Sequence, residues 1–392
     1  MEEWKIYRIG DICKTNTSQY STKEAWDEFL YLDTGNITRN TIDEIARYSS
    51  AAELPSRARR KVISDDIIFS TVRPNQCHFG ILSNPPANLL VSTGFTVITA
   101  NKEIVDPYYL YYYLTQDSIV DYLHSIGEQA VSAYPSIKAQ DIEDLEIELP
   151  DLSTQNNIAK TLRALDEKIQ LNRQINDNLE QQAQNIFNHY FIDNPVELGP
   201  YSKGVLTDIA VYLNGLAMQK FRPEGGDSGL PVLKIKELGQ RSCDNNSDRC
   251  SSVIKDEYIV NDGDVIFSWS GTLLVDLWCG GKCGLNQHLF KVTSDSYPTW
   301  FYYFWTKHHL DNFIRVAKDK AVTMGHIKRT ELEKANVIIP SKEKLSEIDK
   351  ILSPIIDGII TQRVEMRRLV QLRDSLLPEL MSGELKINEI DC

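Results

Sequence analysis

The chain has 392 residues, 42% apolar and 25% charged, the composition of a globular protein long enough for two or three separate cores. Its formal net charge of −13 excludes a uniformly basic nucleic-acid surface, so any contact of that kind has to come from local clusters. No apolar run approaches the roughly eighteen residues of a membrane span, residues 1–12 lack the basic-then-apolar layout of a secretory signal, and seven scattered cysteines argue for reduced thiols and a cytoplasmic setting rather than a disulfide framework.

In chain order, the elements occur twice. Asp11-Ile12 recurs as Asp208-Ile209, and Asp66-Ile-Ile-Phe-Ser70 as Asp264-Val-Ile-Phe-Ser268. The aromatic stretch Pro107-Tyr-Tyr-Leu-Tyr-Tyr-Tyr-Leu114 is echoed by Pro298-Thr-Trp-Phe-Tyr-Tyr-Phe-Trp305. Ile137-Lys138, Pro150, Ile158, Leu162 and Ile169 return as Ile327-Lys328, Pro340, Ile348, Leu352 and Ile359, all at an offset of 190. Upstream the offset drifts where loops differ in length. One unit is used twice.

Each unit reads as a mixed domain followed by a long helix. Short β-rich runs at 67–70, 95–98, 265–267 and 289–292 sit between Gly, Pro and Asn clusters, as strands do. The aromatic stretches have helical length and no turn residues; they are expected to be buried helices with proline in the first turn. They are too apolar to serve as exposed stacking platforms. Strands at 145–150 and 335–340 close the two domains. The division expected is a domain at 1–150, a long helix at 151–192, a second domain at 193–340, a second long helix at 341–385 and a tail at 386–392. Charge is uneven, with 13 basic and 22 acidic residues in 1–150 against 17 and 16 in 198–340.

Both long helices repeat apolar residues in steps of four and three. In the first these are Ile158, Leu162, Leu165, Ile169, Asn172, Asn176, Leu179, Ala183, Ile186 and Tyr190. In the second they are Ile348, Leu352, Ile355, Ile359, Gln362, Met366, Leu369, Arg373, Leu376 and Leu380. Such spacing over about four heptads is a coiled-coil seam. Asn172 and Gln362 are equivalent polar interruptions that fix register at a cost in stability. Ser153 is expected to cap the first helix with Asp151 adding favourable charge, and Pro354 to kink or restart the second. Neither seam is satisfied alone, so the two helices are expected to pair. Relation of the repeats by a two-fold axis makes them antiparallel and puts one globular head at each end. The fold class is therefore α+β: two pseudo-repeated mixed α/β domains separated by two long helices that form an antiparallel intramolecular coiled coil.

This order of elements resembles the specificity (S) subunit of type I restriction–modification systems over nearly the whole chain. The resemblance is carried by the paired Asp-Ile starts, by Asp66-Ile-Ile-Phe-Ser70 and Asp264-Val-Ile-Phe-Ser268, by Leu285-Asn-Gln-His-Leu-Phe-Lys291, and by the Ile-Lys…Pro segments leading into each heptad helix. It implies two target-recognition domains, each reading one half of a bipartite double-stranded DNA site. It further implies that the paired helices set the unspecified spacer and dock two methyltransferase (modification) subunits, that restriction subunits join that core, and that the chain itself holds no catalytic residue and no cofactor. Two different heads on a rigid rod give a physical basis for reading a split site.

Candidate DNA contacts follow. In the first domain they are the basic run Arg57, Arg59, Arg60 and Lys61, the polar loop Arg73, Asn75, Gln76 and His78, and Lys138; Arg, Asn and Gln supply the paired hydrogen bonds that distinguish guanine and adenine in the major groove. In the second they are Lys220 and Arg222 near a Gly-rich turn, the loop Trp269, Ser270 and Thr272, and the group Lys318, Lys320, His326, Lys328 and Arg329. The loop regions 127–138 and 320–328 are equivalent in the repeat.

Rival chemistries find weak support. Asn84-Pro85-Pro86-Ala87 lacks the aromatic residue that an adenine methyltransferase stacks on a flipped base. Gly280-Gly281-Lys282 is followed by Cys283 and preceded by Asp276, unlike a phosphate loop. The cysteine pairs 243/250 and 279/283 lack the usual zinc spacing. Asp65-Asp66 suggests a metal-dependent nuclease, yet the repeat keeps only Asp264. A DNA-processing enzyme and a coiled-coil assembly scaffold without a DNA role remain the alternatives.

Overall fold

The computed structural model describes residues 4–129, 135–319 and 326–386. It divides into two compact units, Met1–Glu167 with Leu372–Cys392, and Lys168–Gln371. Each unit thus holds one globular domain, the start of one long helix and the end of the other.

The first unit contains two four-stranded sheets. One is antiparallel, in the order Cys13–Thr15, Phe95–Ala100, Asp66–Ser70, Phe79–Leu82. The other has the order Ala46–Tyr48, Phe29–Leu32, Leu89–Ser92, Ala58–Lys61, with a parallel central pair and antiparallel outer pairs. Lys5–Arg8 and Glu146–Leu149 pair separately and bring the domain's two ends together. The second unit repeats this plan. Its antiparallel sheet runs Val211–Asn214, Leu289–Thr293, Val265–Ser268, Leu274–Leu277. Its mixed sheet runs Arg249–Cys250, Leu230–Leu233, Cys283–Leu285, Ile259–Val260, again with a parallel centre. Tyr201–Val205 and Asn336–Pro340 form the closing pair.

The repeated Asp-aliphatic-Ile-Phe-Ser motif explains why the layers stack. Strand residues alternate faces. Ile67 and Phe69 join the core under the aromatic helix Pro107–Leu114, whereas Ile68 joins Leu30, Leu32 and Val91 between the sheets. In the second unit Val265 and Phe267 pack with Trp300 and Phe304, while Ile266 packs with Leu233 and Leu285. A strand buried on both faces needs an uninterrupted apolar run, and both copies have one.

The aromatic stretches are helices packed into these cores. Pro107 opens the first, where Asp106 accepts the N–H groups of Tyr108 (2.9 Å) and Tyr109 (3.0 Å). The second, Thr299–His308, begins one residue after Pro298, so that proline is the cap residue rather than part of the first turn.

The first long helix spans Leu152–Asn188 and the second Lys342–Ser382. Asp151, not Ser153, caps the first: its carboxylate accepts the N–H of Ser153 (2.8 Å) and Thr154 (3.1 Å) and the hydroxyl of Thr154. The carboxylate reaches the orphan N–H groups from outside the helix, whereas Ser153 already lies inside it. The second helix runs through Pro354 without restarting. Pro354 and Lys350 are both exposed, so the carbonyl that proline deprives of a donor faces solvent.

Within the first unit, Ile158 and Leu162 are buried with Leu380 and Met381, Leu376 packs on the same cluster, and Leu165 is half-buried. Arg373 donates to Asp166 at 2.8 Å. Within the second unit, Asn172 Nδ2 donates to Glu365 Oε2 at 2.7 Å, and Leu179 lies over Gly358. Partner numbers fall as first-helix numbers rise, so the segments in each unit run antiparallel. Ile169, Asn172, Ile348, Leu352 and Ile359 are buried; Leu179, Ile186, Gln362, Met366 and Leu369 are half-buried. The second helix departs from the expected spacing at two places. Ile356 rather than Ile355, and Arg363 rather than Gln362, are the buried residues there, because this face of the helix packs on the globular domain as well as on the first helix.

Candidate nucleic-acid interface

In the first domain the chain leaves strand Asp66–Ser70 and lies beside the segment preceding the closing strand. Ile137 N–H donates to Thr71 O at 2.8 Å, Arg73 N–H donates to Pro135 O at 2.9 Å, and Val72 bridges Ser136. Arg73 takes the left-handed conformation (φ 48°) and starts a 3-10 turn, Pro74–Gln76, that leaves Asn75 and Gln76 exposed. Lys138 is exposed at the start of helix Ala139–Glu143, its backbone N–H bound by Asp141. These backbone bonds gather Arg73, Asn75, Gln76 and Lys138 at one place. His78 differs: it is half-buried and its Nδ1 donates to Ile37 O at 2.6 Å, a structural tie to the neighbouring hairpin.

The basic run Arg57-Ala-Arg59-Arg60-Lys61 is not a loop. Ala58–Lys61 is the edge strand of the mixed sheet, and alternation divides its charges. Arg57 and Arg59 are exposed. Arg60 turns inward, its Nε and Nη1 buried without a hydrogen-bond partner among the described residues, and burial lowers its pKa. Lys61 pairs with Glu24 at 2.7 Å and lies over the Trp26 ring. Arg57 approaches the polar loop through the backbone: its carbonyl accepts Thr93 N–H, and the next residue, Gly94, accepts Thr71 N–H.

The second domain repeats the juxtaposition. Ile327 N–H donates to Trp269 O at 3.1 Å and Ser270 bridges His326. Trp269 is half-buried over Phe290, with His288 and His326 at ring-centroid distances of 6.0 and 6.3 Å, and its Nε1–H donates to Asn214. Ser270 is buried and Thr272 exposed. Lys328 and Arg329 are exposed at the start of helix Arg329–Leu332, and Lys318 is exposed near the end of helix Leu310–Asp319. Lys320 lies outside the described residues, as do parts of both loop regions singled out by the repeat. Lys220 and Arg222 are exposed on and after a separate 3-10 turn, Met218–Lys220.

Sequence reasoning passed over the charges that join globular domain to helix. In the second unit Arg363 is 6% exposed and donates to Asp276 (2.9 Å), to the carbonyl of Leu277 (2.7 Å) and to Glu180 of the first helix (2.5 Å). Arg367, one turn on, grips both carboxylate oxygens of Asp262, which holds that carboxyl below its ordinary pKa. In the first unit Asp166 receives Arg373 and the Tyr112 hydroxyl (2.7 Å); burial and that carboxylate push the tyrosine upward. Only the four-residue spacing of Arg363 and Arg367 hinted at a shared face. Among the described residues no cluster of three or more His, Cys, Asp or Glu is arranged to hold a metal, and no helix is long and apolar enough to cross a membrane.

A family model for the type I restriction modification DNA specificity domain matches residues 1–181 and 202–366. The chain belongs to this family, and its role is that of a DNA sequence-specificity subunit. It is similar to the HindI specificity subunit of Haemophilus influenzae, 23% identical over 98% of this chain and 100% of that one. It is also similar to the MjaIX specificity subunit of Methanocaldococcus jannaschii, 24% identical over 98% and 94%. The solved S subunit of a type I restriction–modification system from M. genitalium shares the fold, with a TM-score of 0.60, 13% identity, and coverage of 97% of this chain and 96% of that one.

Proposed function

We propose that each globular domain reads one half of a bipartite double-stranded DNA site while the paired helices set the gap and dock two methyltransferase subunits. Restriction subunits complete the assembly, which acts in the cytoplasm. The chain supplies recognition and no bond-making of its own. One observation carries this reading: the same two-sheet framework occurs twice with the same strand order and sense, while the loops it presents differ. A polar arginine–asparagine–glutamine loop in the first domain is replaced by a tryptophan–serine–threonine loop in the second. Shared framework with divergent loops is what two different half-sites require.

The domains at 1–150 and 193–340 are taken as the two readers, and the exposed Arg57, Arg59, Asn75, Gln76, Lys138, Thr272, Lys328 and Arg329, with the half-buried Arg73, as the residues that meet DNA. Replacing residues 1–150 by the corresponding domain of another family member, and mapping the bases methylated by the assembled complex, is expected to change one half-site and leave the other intact. A change in both halves would contradict independent readers. Incubating the purified chain with S-adenosylmethionine and DNA is expected to give no methylation until methyltransferase subunits are added.

A further inference from the structure

The second domain contains a recess of 520 Å³ whose lining includes Gln219, Arg222, Lys234, Asp248, Arg249 and Asn286. Met218 and Val232, both buried, contribute apolar surface to it. Two of the cations are already held. Lys234 pairs with Asp248, and Arg249 donates to the carbonyls of Ser228 (2.8 Å) and Gly229 (2.7 Å). Gln219 and Arg222 are exposed and make no hydrogen bond among the described residues; Arg222 stands within electrostatic reach of Asp248. Asn286 is 6% exposed, and its Oδ1 accepts His288 N–H at 3.3 Å. Its Nδ2 has no partner among the described residues. That donor is open to the recess and not sealed in the core, so it can meet an acceptor that enters.

The first domain has a different arrangement at the same place. Leu32 pairs with Val91 as Leu233 pairs with Leu285, so Asp33 corresponds to Lys234 and Ser92 to Asn286. Ser92 Oγ accepts Gly94 N–H just as Asn286 Oδ1 accepts His288 N–H. There, however, Asp33 accepts the hydroxyl of Tyr31 at 3.0 Å and the N–H of Thr34, and no free amide donor is added. The charge at the corresponding position is inverted, with the exposed Arg57 within electrostatic reach of Asp33.

We propose that this recess in the second domain is a phosphodiester-binding site that clamps one backbone phosphate of the DNA. The inference rests on the DNA-reading role proposed above and assigns the grip to a site whose charges differ from those at the corresponding place in the first domain. A concave site lined by donors and net positive charge suits a convex group that only accepts hydrogen bonds. Arg222 supplies the planar fork, Asn286 Nδ2 and Gln219 the flanking donors, and Lys234 and Arg249 the surrounding positive field.

Arg222→Ala tests this in the full chain assembled with its methyltransferase subunits, against duplexes carrying the wild-type target selected from a random pool. Asn286→Ser is the companion variant, since serine keeps an acceptor for the following loop, as Ser92 does in the first domain, and removes the amide arm that lines the recess. Arg222→Ala is expected to weaken binding to every duplex by a similar factor, on the order of tenfold at low salt, and to reduce the slope of log affinity against log salt by about 0.9. Asn286→Ser should act in the same sense with unchanged thermal unfolding. A single neutral methylphosphonate in the strand contacted should cost the wild type affinity and leave Arg222→Ala unaffected. Loss of preference at one base position would make the recess a base reader and overturn the assignment. Unchanged affinity and slope would also overturn it, as would equal competition by inorganic phosphate, which marks a small-anion site. If the wild-type complex selects no split sequence from the pool, the DNA-reading proposal itself fails.

Discussion

Arg363 enters the interior of the second unit only because three acceptors meet it. Its carboxylate partner Asp276 is 4% exposed and is shared with Arg241 Nε at 2.6 Å, while Glu180 completes the group from the first helix. Burying a matched set of charges gives little net stability, but removing one member strands the others in a medium that solvates them poorly. Arg363→Met is therefore expected to cost about 3 kcal/mol in urea unfolding, with most of that loss recovered in the Arg363→Met, Asp276→Leu double variant. Equal destabilisation in single and double variants would show that the arginine acts by packing alone. This burial left little sign in the sequence, because an arginine on a heptad helix reads as a solvated position even with Arg367 one turn on. The same difficulty hid the division of labour in Arg57-Ala-Arg59-Arg60-Lys61, where a charge run turned out to be an edge strand with alternate side chains facing opposite ways. Asn286 was within reach, since it sits in the Leu285–Lys291 motif, but its unpaired amide is a property of the folded neighbourhood and not of the motif.

At the level of elements, what was legible had a strong period. The aromatic helices, the motif strands and both long helices carry patterns that only one secondary structure satisfies. The strands of the mixed sheets were not legible: Ala46–Tyr48, Arg249–Cys250 and Ile259–Val260 are two or three residues long and owe their conformation to neighbours in the sheet. On the second helix, Ile355 and Ile356 are equally apolar, so sequence spacing does not choose between them; packing against the globular domain does. The first helix carries a heavier polar load than register alone explains. Asn176, like Asn172, is buried, and both atoms of its amide lack a partner among the described residues. Asn176→Leu is expected to raise stability by about 1–3 kcal/mol, read as a higher urea midpoint at unchanged slope. A lower midpoint would show that the amide is satisfied in solution.

At the scale of the whole molecule, one chain carries two related domains and two long helices. The duplication was legible because equivalent residues recur at a constant offset. The juxtaposition of the candidate loops was not, because Ile137 and Ile327 reach them through backbone hydrogen bonds that leave no mark on side-chain pattern. The most direct measurement removes one heptad from each helix, residues 165–171 and 355–361, and maps the bases methylated by the assembled complex. Seven residues at about 1.5 Å each, against about 3.4 Å per base pair, predict a gap shorter by about three base pairs between two unaltered half-sites. An active complex that keeps the original gap would contradict the claim that the helices measure it.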